Sequence, residues 1–235
     1  MKIAIKSVLY GLYFASASVK NYLPVVIYLL ISQLLIMKMQ NLLLVFIFFL
    51  GYLVISSPIA LNIFRNIILE EDLVNDYVYF LGQSYIVLFI KKIFYLLVSI
   101  IGIYVVHIIL LSPLLPSDIS QMTIYLYVLF MYMLYIYTRI MFILPAASQG
   151  ISKGLKDSYT LTKGRSIKIY FSYVIIIAPY LLINTTIAKY AELNEYSWLF
   201  IIPAIIMQVF FTILSSSLIG YIYKDFLLTN KDMYD

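Results

Sequence analysis

The chain has 235 residues, of which 64% are hydrophobic and 11% are charged, and its formal net charge is +5 at pH 7. A soluble domain carries about 25% charged residues, so these charges cannot coat a globule of this size, and the same numbers exclude a disordered chain. With no Cys and one His, His107, there is no disulfide framework, no thiolate ligand, and no zinc site without several carboxylate partners.

A membrane-spanning helix needs about 20 mostly apolar residues. Six stretches qualify: 22–37, 41–64, 93–115, 122–144, 167–188 and 198–222. Backbone groups in hydrocarbon must bond within their own segment, which favours helices, and the runs lack the alternation of a membrane β-barrel. The expected fold class is an all-α membrane protein with six transmembrane helices in one polytopic domain over 1–235. Residues 1–20 superficially resemble a secretory signal. Lys6, Tyr10, Gly11 and Tyr13 break its apolar run, so the segment reads as an uncleaved amphipathic helix lying on the membrane.

The connecting segments sort by charge. One alternate set holds Lys2, Lys6, Lys20, Arg65, Lys91, Lys92, Arg139, Lys153, Lys156, Lys163, Arg165, Lys168, Lys224 and Lys231; the other holds only Lys38 and Lys189. The positive-inside rule then places both termini in the cytoplasm. The short outer segments fall near 38–40, 113–121 and 189–197, with Asp118, Glu192 and Glu195. Frequent Ile, Lys, Asn and Tyr suggest an AT-rich bacterial genome, and hence a bacterial inner membrane. The net positive charge is expected to serve anionic lipid headgroups and not nucleic acid, because the cations sit at span ends.

Each pair of spans follows a segment that reads as a cytoplasmic-face amphipathic helix: 1–19, 66–82 and 146–163. In the third, Ile151, Leu155, Tyr159 and Thr162 share one helical face, and Gly164 stands where a C′ glycine belongs. Gly82-Gln83-Ser84 and Gly164-Arg165-Ser166 precede spans 3 and 5 alike, so the pattern predicts three repeats of one hairpin unit. The acidic run Glu70-Glu71-Asp72 is expected to open the second surface helix.

Residues 139–171 read RIMFILPAASQGISKGLKDSYTLTKGRSIKIYF. This resembles the membrane domain of glycerophosphoryl diester phosphodiesterases and related six-span proteins of unassigned function. The matching positions are Arg139, Pro145, Ala146, Ser158, Leu161, Thr162 and Gly164, and the exit of span 6 at Tyr221–Asp225 is also similar. The resemblance implies a six-span fold rather than an activity. Ser148-Gln149 stands where that family often has an acidic residue, and its catalytic domain has no counterpart here.

No catalytic, cofactor or metal residues emerge. Arg139 reads either as a cation snorkelling to the headgroups or as a fixed phosphate contact, and Lys153, Lys156, Lys163 and Arg165 are further headgroup candidates. His107 reads as a packing residue, since no span holds Asp or Glu to relay a proton. Gln33, Asn62, Asn184, Thr185 and Gln208 are intramembrane polar groups. Helix-to-helix hydrogen bonding is their first reading; the second is a polar site near Asn184 and Gln208, where Pro179 and Pro203 would break spans 5 and 6. Ser215–Ser217, Gly220, Gly51 and Gly102 suit close helix approach, and tyrosines of span 4 suit the interfaces. The leading expectation is a non-enzymatic inner-membrane protein that organises lipids or partner proteins. The alternative is a small transporter or permease subunit for a lipidic or amphiphilic substrate.

Overall fold

The computed structural model describes residues 2–39, 41–111, 119–193 and 200–229. Most of the described residues are helical, and none of them forms a strand. In chain order the helices are α1 (Lys2–Ala17), α2 (Val19–Met39), α3 (Leu42–Leu69), α4 (Tyr77–Leu81), α5 (Ser84–Leu111), α6 (Ile119–Ile140), α7 (Ile143–Ser148), α8 (Leu155–Leu161), α9 (Ser166–Leu193) and α10 (Ile201–Thr229). Six are long and apolar enough to cross a bilayer: α2, α3, α5, α6 with α7, α9 and α10. Val98 on α5 is 66% exposed and Leu182 on α9 is 69% exposed. Such surfaces suit hydrocarbon as the solvent. The molecule is a six-span helical membrane protein.

The spans are longer than their apolar runs suggest. At 1.5 Å per residue α3 measures about 42 Å, against about 30 Å of hydrocarbon. Its end, with Phe64 and Ile67 buried, therefore continues as a packing surface beyond the bilayer. Likewise α5 begins at Ser84 and not near residue 93. Ile86 and Phe89 are buried, and Lys92 donates to the Lys153 carbonyl at 2.7 Å, so Lys91-Lys92 lie within the helix and do not end it. Residues 113–118 and 194–197 of the expected outer segments lie outside the described residues, as does Lys231, whereas 189–193 complete α9.

Packing is dense at the end that gathers the basic residues and loosens away from it. None of the residues 177–187 of α9 or 97–110 of α5 is buried. The main core joins α3, α5, α7, α9 and α10 through Phe64, Phe89, Phe142, Leu218 and Tyr223. A second cluster joins α1, α2, α3 and α10 through Phe14, Val25, Ile63 and Val209. The helix α1 runs along α10: Ile3 lies beside Ile222 and Phe226, Tyr10 meets Tyr221 with ring centroids 5.9 Å apart, and Phe14 joins Val209 and Ile213. Its Ala4, Ser7, Gly11 and Phe14 face is buried, and Ile5, Leu9 and Leu12 are exposed.

The segments 66–82 and 146–163 differ from the single surface helices expected. Of 66–82, the first residues complete α3, residues 70–76 are non-helical, and only Tyr77–Leu81 form a short helix, capped by Asp76. Glu70 does not open a helix; it ends α3 with φ of 58°. The non-helical stretch folds back along α3. Asn62 donates to the Val74 carbonyl at 2.8 Å and accepts from the Val74 amide at 3.4 Å, and Asn21 donates to the same carbonyl at 2.5 Å. In the third segment α7 and α8 are separate. The helix α8 starts after Gly154, whose amide is met by the Asp157 carboxylate at 2.8 Å, so Ile151 is outside it. Gly164 has φ of +81° but Gly82 has φ of −80°, so the two Gly-x-Ser sequences turn differently.

Two proline expectations also change. Pro179 lies inside a continuous α9, and Pro203 lies in the first turn of α10, where no intrahelical donor is lost. Gly220 abuts Ile67 and Phe64 of α3, and Gly51 abuts Tyr28 of α2, as close helix approach requires. Gly102 faces open space and serves no such contact.

Candidate functional site

The densest cluster of polar groups sits where α6 ends. Arg139 is only 6% exposed, so its guanidinium is inside the protein and not at the headgroups. Its Nη1 donates to Ser166 Oγ and, at 3.4 Å, to Tyr135 Oη. Its Nη2 donates to the Tyr159 carbonyl at 2.8 Å, and the guanidinium lies 3.7 Å above the Tyr159 ring. Only Nε lacks a partner. The same residue's carbonyl accepts from Ser158 Oγ at 2.9 Å, while Ser158 Oγ accepts the Phe142 amide at 3.2 Å. Thr162 Oγ1 reaches that carbonyl too, at 3.4 Å. Thus Arg139, Ser158 and Thr162, singled out separately by the resemblance, come together and fasten α6, α8 and α9. A buried cation is tolerated where hydrogen bonds and an aromatic face replace its water.

A second group of cations is held by protein carboxylates and carbonyls. Arg65 Nε donates to Glu71 at 2.6 Å, its Nη2 pairs with the same carboxylate, and its Nη1 donates to the Ser148 carbonyl at 2.8 Å. The guanidinium also lies 4.3 Å from the Tyr85 ring centroid. Lys224 donates to Glu70 at 2.7 Å, which holds the Glu70 carboxyl below the usual carboxylate range. The acidic run therefore ties the loop after α3 to α5, α7 and α10.

The remaining cations are at the surface. Lys156 and Lys163 are exposed. Lys153 is half-buried 5.9 Å from the Tyr223 ring, and burial pushes its amine below the ordinary lysine value, with Asp157 opposing that shift. Arg165 is 4.0 Å from Asp225 and 5.7 Å from the Phe226 ring. It shares a shallow crevice with Lys168 and Ser172 over an apolar floor of Ile3, Ile222 and Phe226. The crevice encloses only about 20 Å³, so an anionic group would rest on its rim.

Asn184 and Gln208 are both half-buried, and no hydrogen bond among the described residues joins them. The nearby contact between these helices is the stacking of Tyr180 on Phe211, 4.1 Å apart. His107 Nδ1 donates to the Ile103 carbonyl at 2.9 Å, and its ring lies 4.8 Å from that of Tyr132. Among the described residues there is no group of three or more His, Cys, Asp or Glu that could hold a metal. Sequence reasoning missed the Arg65 cluster and the hydroxyl pair of Tyr52 with Thr212, which joins α3 to α10. Neither has a signal in local spacing, because the partners are far apart in the chain. Compared with known protein families, curated proteins and solved structures, the chain matches none.

Proposed function

We propose that the protein is a non-enzymatic, multi-pass bacterial inner-membrane protein that organises anionic lipids, and partner proteins gathered with them, at a cytoplasmic face holding both termini. The observation that carries this reading is the Arg165–Lys168 crevice. Its two cations outnumber the single Asp225 carboxylate at the rim and flank an apolar floor supplied by α1 and α10, a pairing that matches a lipid phosphate above the start of its acyl chains. Lys2, Lys6, Lys163 and Lys224 belong to the adjoining segments, and each cation near a membrane surface contributes about 1 kcal/mol toward anionic lipid.

The test is lipid retention. The protein is reconstituted in nanodiscs of mixed phosphatidylglycerol and phosphatidylcholine, then delipidated stepwise under native mass spectrometry. Phosphatidylglycerol should be retained preferentially. In the double variant Arg165→Gln, Lys168→Gln its retention should fall about tenfold or more, the sum of two such contributions. Equal retention of both lipids, or a variant indistinguishable from wild type, would refute the reading.

A further inference from the structure

A cleft of about 280 Å³ lies between α3, α5 and α10, with Tyr137 and Leu144 from α6 and α7 at one end. It exists because α5 and α10 both pack on α3 but barely on each other. Its lining runs along α3 from Phe49 to Phe64, a length of about 22 Å at the helical rise. It therefore extends from mid-bilayer to the basic end of the bundle. Phe49, 44% exposed, stands at its outer mouth.

The walls are mostly apolar, but they carry the hydroxyls of Tyr52, Ser56, Ser57, Thr212, Ser215 and Ser216. Several of these donate inside the protein. Ser57 donates to the Leu53 carbonyl at 2.7 Å, Ser215 to the Thr212 carbonyl at 3.2 Å, and Tyr52 pairs with Thr212. Their oxygens keep lone pairs that can accept. Ser216 is different: only 6% of the residue is exposed, it lines the cleft, and its hydroxyl makes no hydrogen bond among the described residues. The hydroxyl is open to the cleft and not sealed in the protein, so a polar group lying in that apolar space would give it the partner that hydrocarbon cannot. No charged side chain lines the cleft, so a carboxylate or phosphate there would be an unpaired charge in low dielectric.

We propose that this cleft binds a neutral, single-chain lipid bearing a hydroxyl, such as a monoacylglycerol or long-chain alcohol. The chain lies along α3, and the hydroxyl meets Ser216 and the neighbouring oxygens. The site stands apart from the Arg165–Lys168 crevice and does not depend on it.

The test uses the full chain in nanodiscs and a monoacylglycerol carrying a diazirine in its acyl chain. Labelled peptides should map to 49–64 and 212–219. Excess monoolein should compete, whereas sodium oleate and oleoyl-lysophosphatidylglycerol should not. Ser216→Ala removes the unpartnered hydroxyl and should weaken labelling about fivefold, the effect of one hydrogen bond. Ala60→Leu fills the cleft and should abolish the mapped label; circular dichroism verifies that both variants keep their helices. Label spread over the exposed faces of α6 and α9, equal competition by oleate, or full labelling of both folded variants would overturn the proposal.

Discussion

Replacing Ser158 by Ala tests the joint between α6 and α7. The helix α6 stops at Ile140, so the Phe142 amide and the Arg139 carbonyl lose their usual helical partners, and the Ser158 hydroxyl serves both, at 3.2 and 2.9 Å. Ser158 is fully buried, so water cannot take its place. Leaving a buried polar group unsatisfied costs about 1–3 kcal/mol. Thr162 Oγ1 still reaches the Arg139 carbonyl at 3.4 Å, which softens one of the two losses. The expected destabilisation is therefore about 2–4 kcal/mol. Ser172→Ala is the matched control: its hydroxyl donates to the Lys168 carbonyl at 2.9 Å, a carbonyl of its own helix near the surface, and the cost should stay within about 0.5 kcal/mol. Unfolding in mixed micelles of increasing dodecyl sulfate fraction, followed by far-ultraviolet circular dichroism, measures both. A Ser158→Ala midpoint equal to that of the control would refute the account of this joint.

A Cβ at Gly51 would collide with the Tyr28 hydroxyl, which donates to the Phe48 carbonyl at 2.9 Å; Gly51→Ala must displace that ring. The change should destabilise by about 1–3 kcal/mol despite its better helix propensity, and in the same unfolding assay the double variant Gly51→Ala, Tyr28→Leu should recover part of the loss. The Glu70–Lys224 pair makes stability depend on pH. Because Lys224 lowers the folded-state value of Glu70, the contribution is complete above the ordinary carboxylate value and is lost as pH falls through the folded one. Wild type should thus exceed Glu70→Gln slightly at neutral pH and match it in acid, with a gap that shrinks in high salt; a gap that widened on acidification would contradict the pairing.

The six spans were legible because hydrocarbon imposes a length that short apolar runs cannot imitate. Their ends were not. In a soluble protein a Lys pair inside an apolar helix is a warning, but Lys91-Lys92 sit in mid-helix because α5 continues past the bilayer into a protein core. The grouping of Arg139, Ser158 and Thr162 was visible only as a resemblance, since pairs separated by about twenty residues leave no periodic trace. Glu70-Glu71 misled for the same reason. Carboxylates favour a helix start when nothing else acts, but here Lys224 and Arg65 draw them to a helix end. Asn184 and Gln208 were singled out because amides are rare in such runs. The cleft instead is lined by hydroxyls, and Ser215–Ser217 read from sequence only as small residues for close helix approach, because a serine in a span suits either role.

The contact of Glu70 with Lys224 joins residues 154 positions apart. At about 5–20 residues per second of synthesis, the loop after the first hairpin waits about 10–30 s for the helix that clamps it. Until then its carboxylate has no cation from α10, and the groove that α10 fills against α3 stands open to lipid. A chain cut short before that helix emerges would expose the loop in an unlatched form, readily distinguished by proteases from the finished molecule.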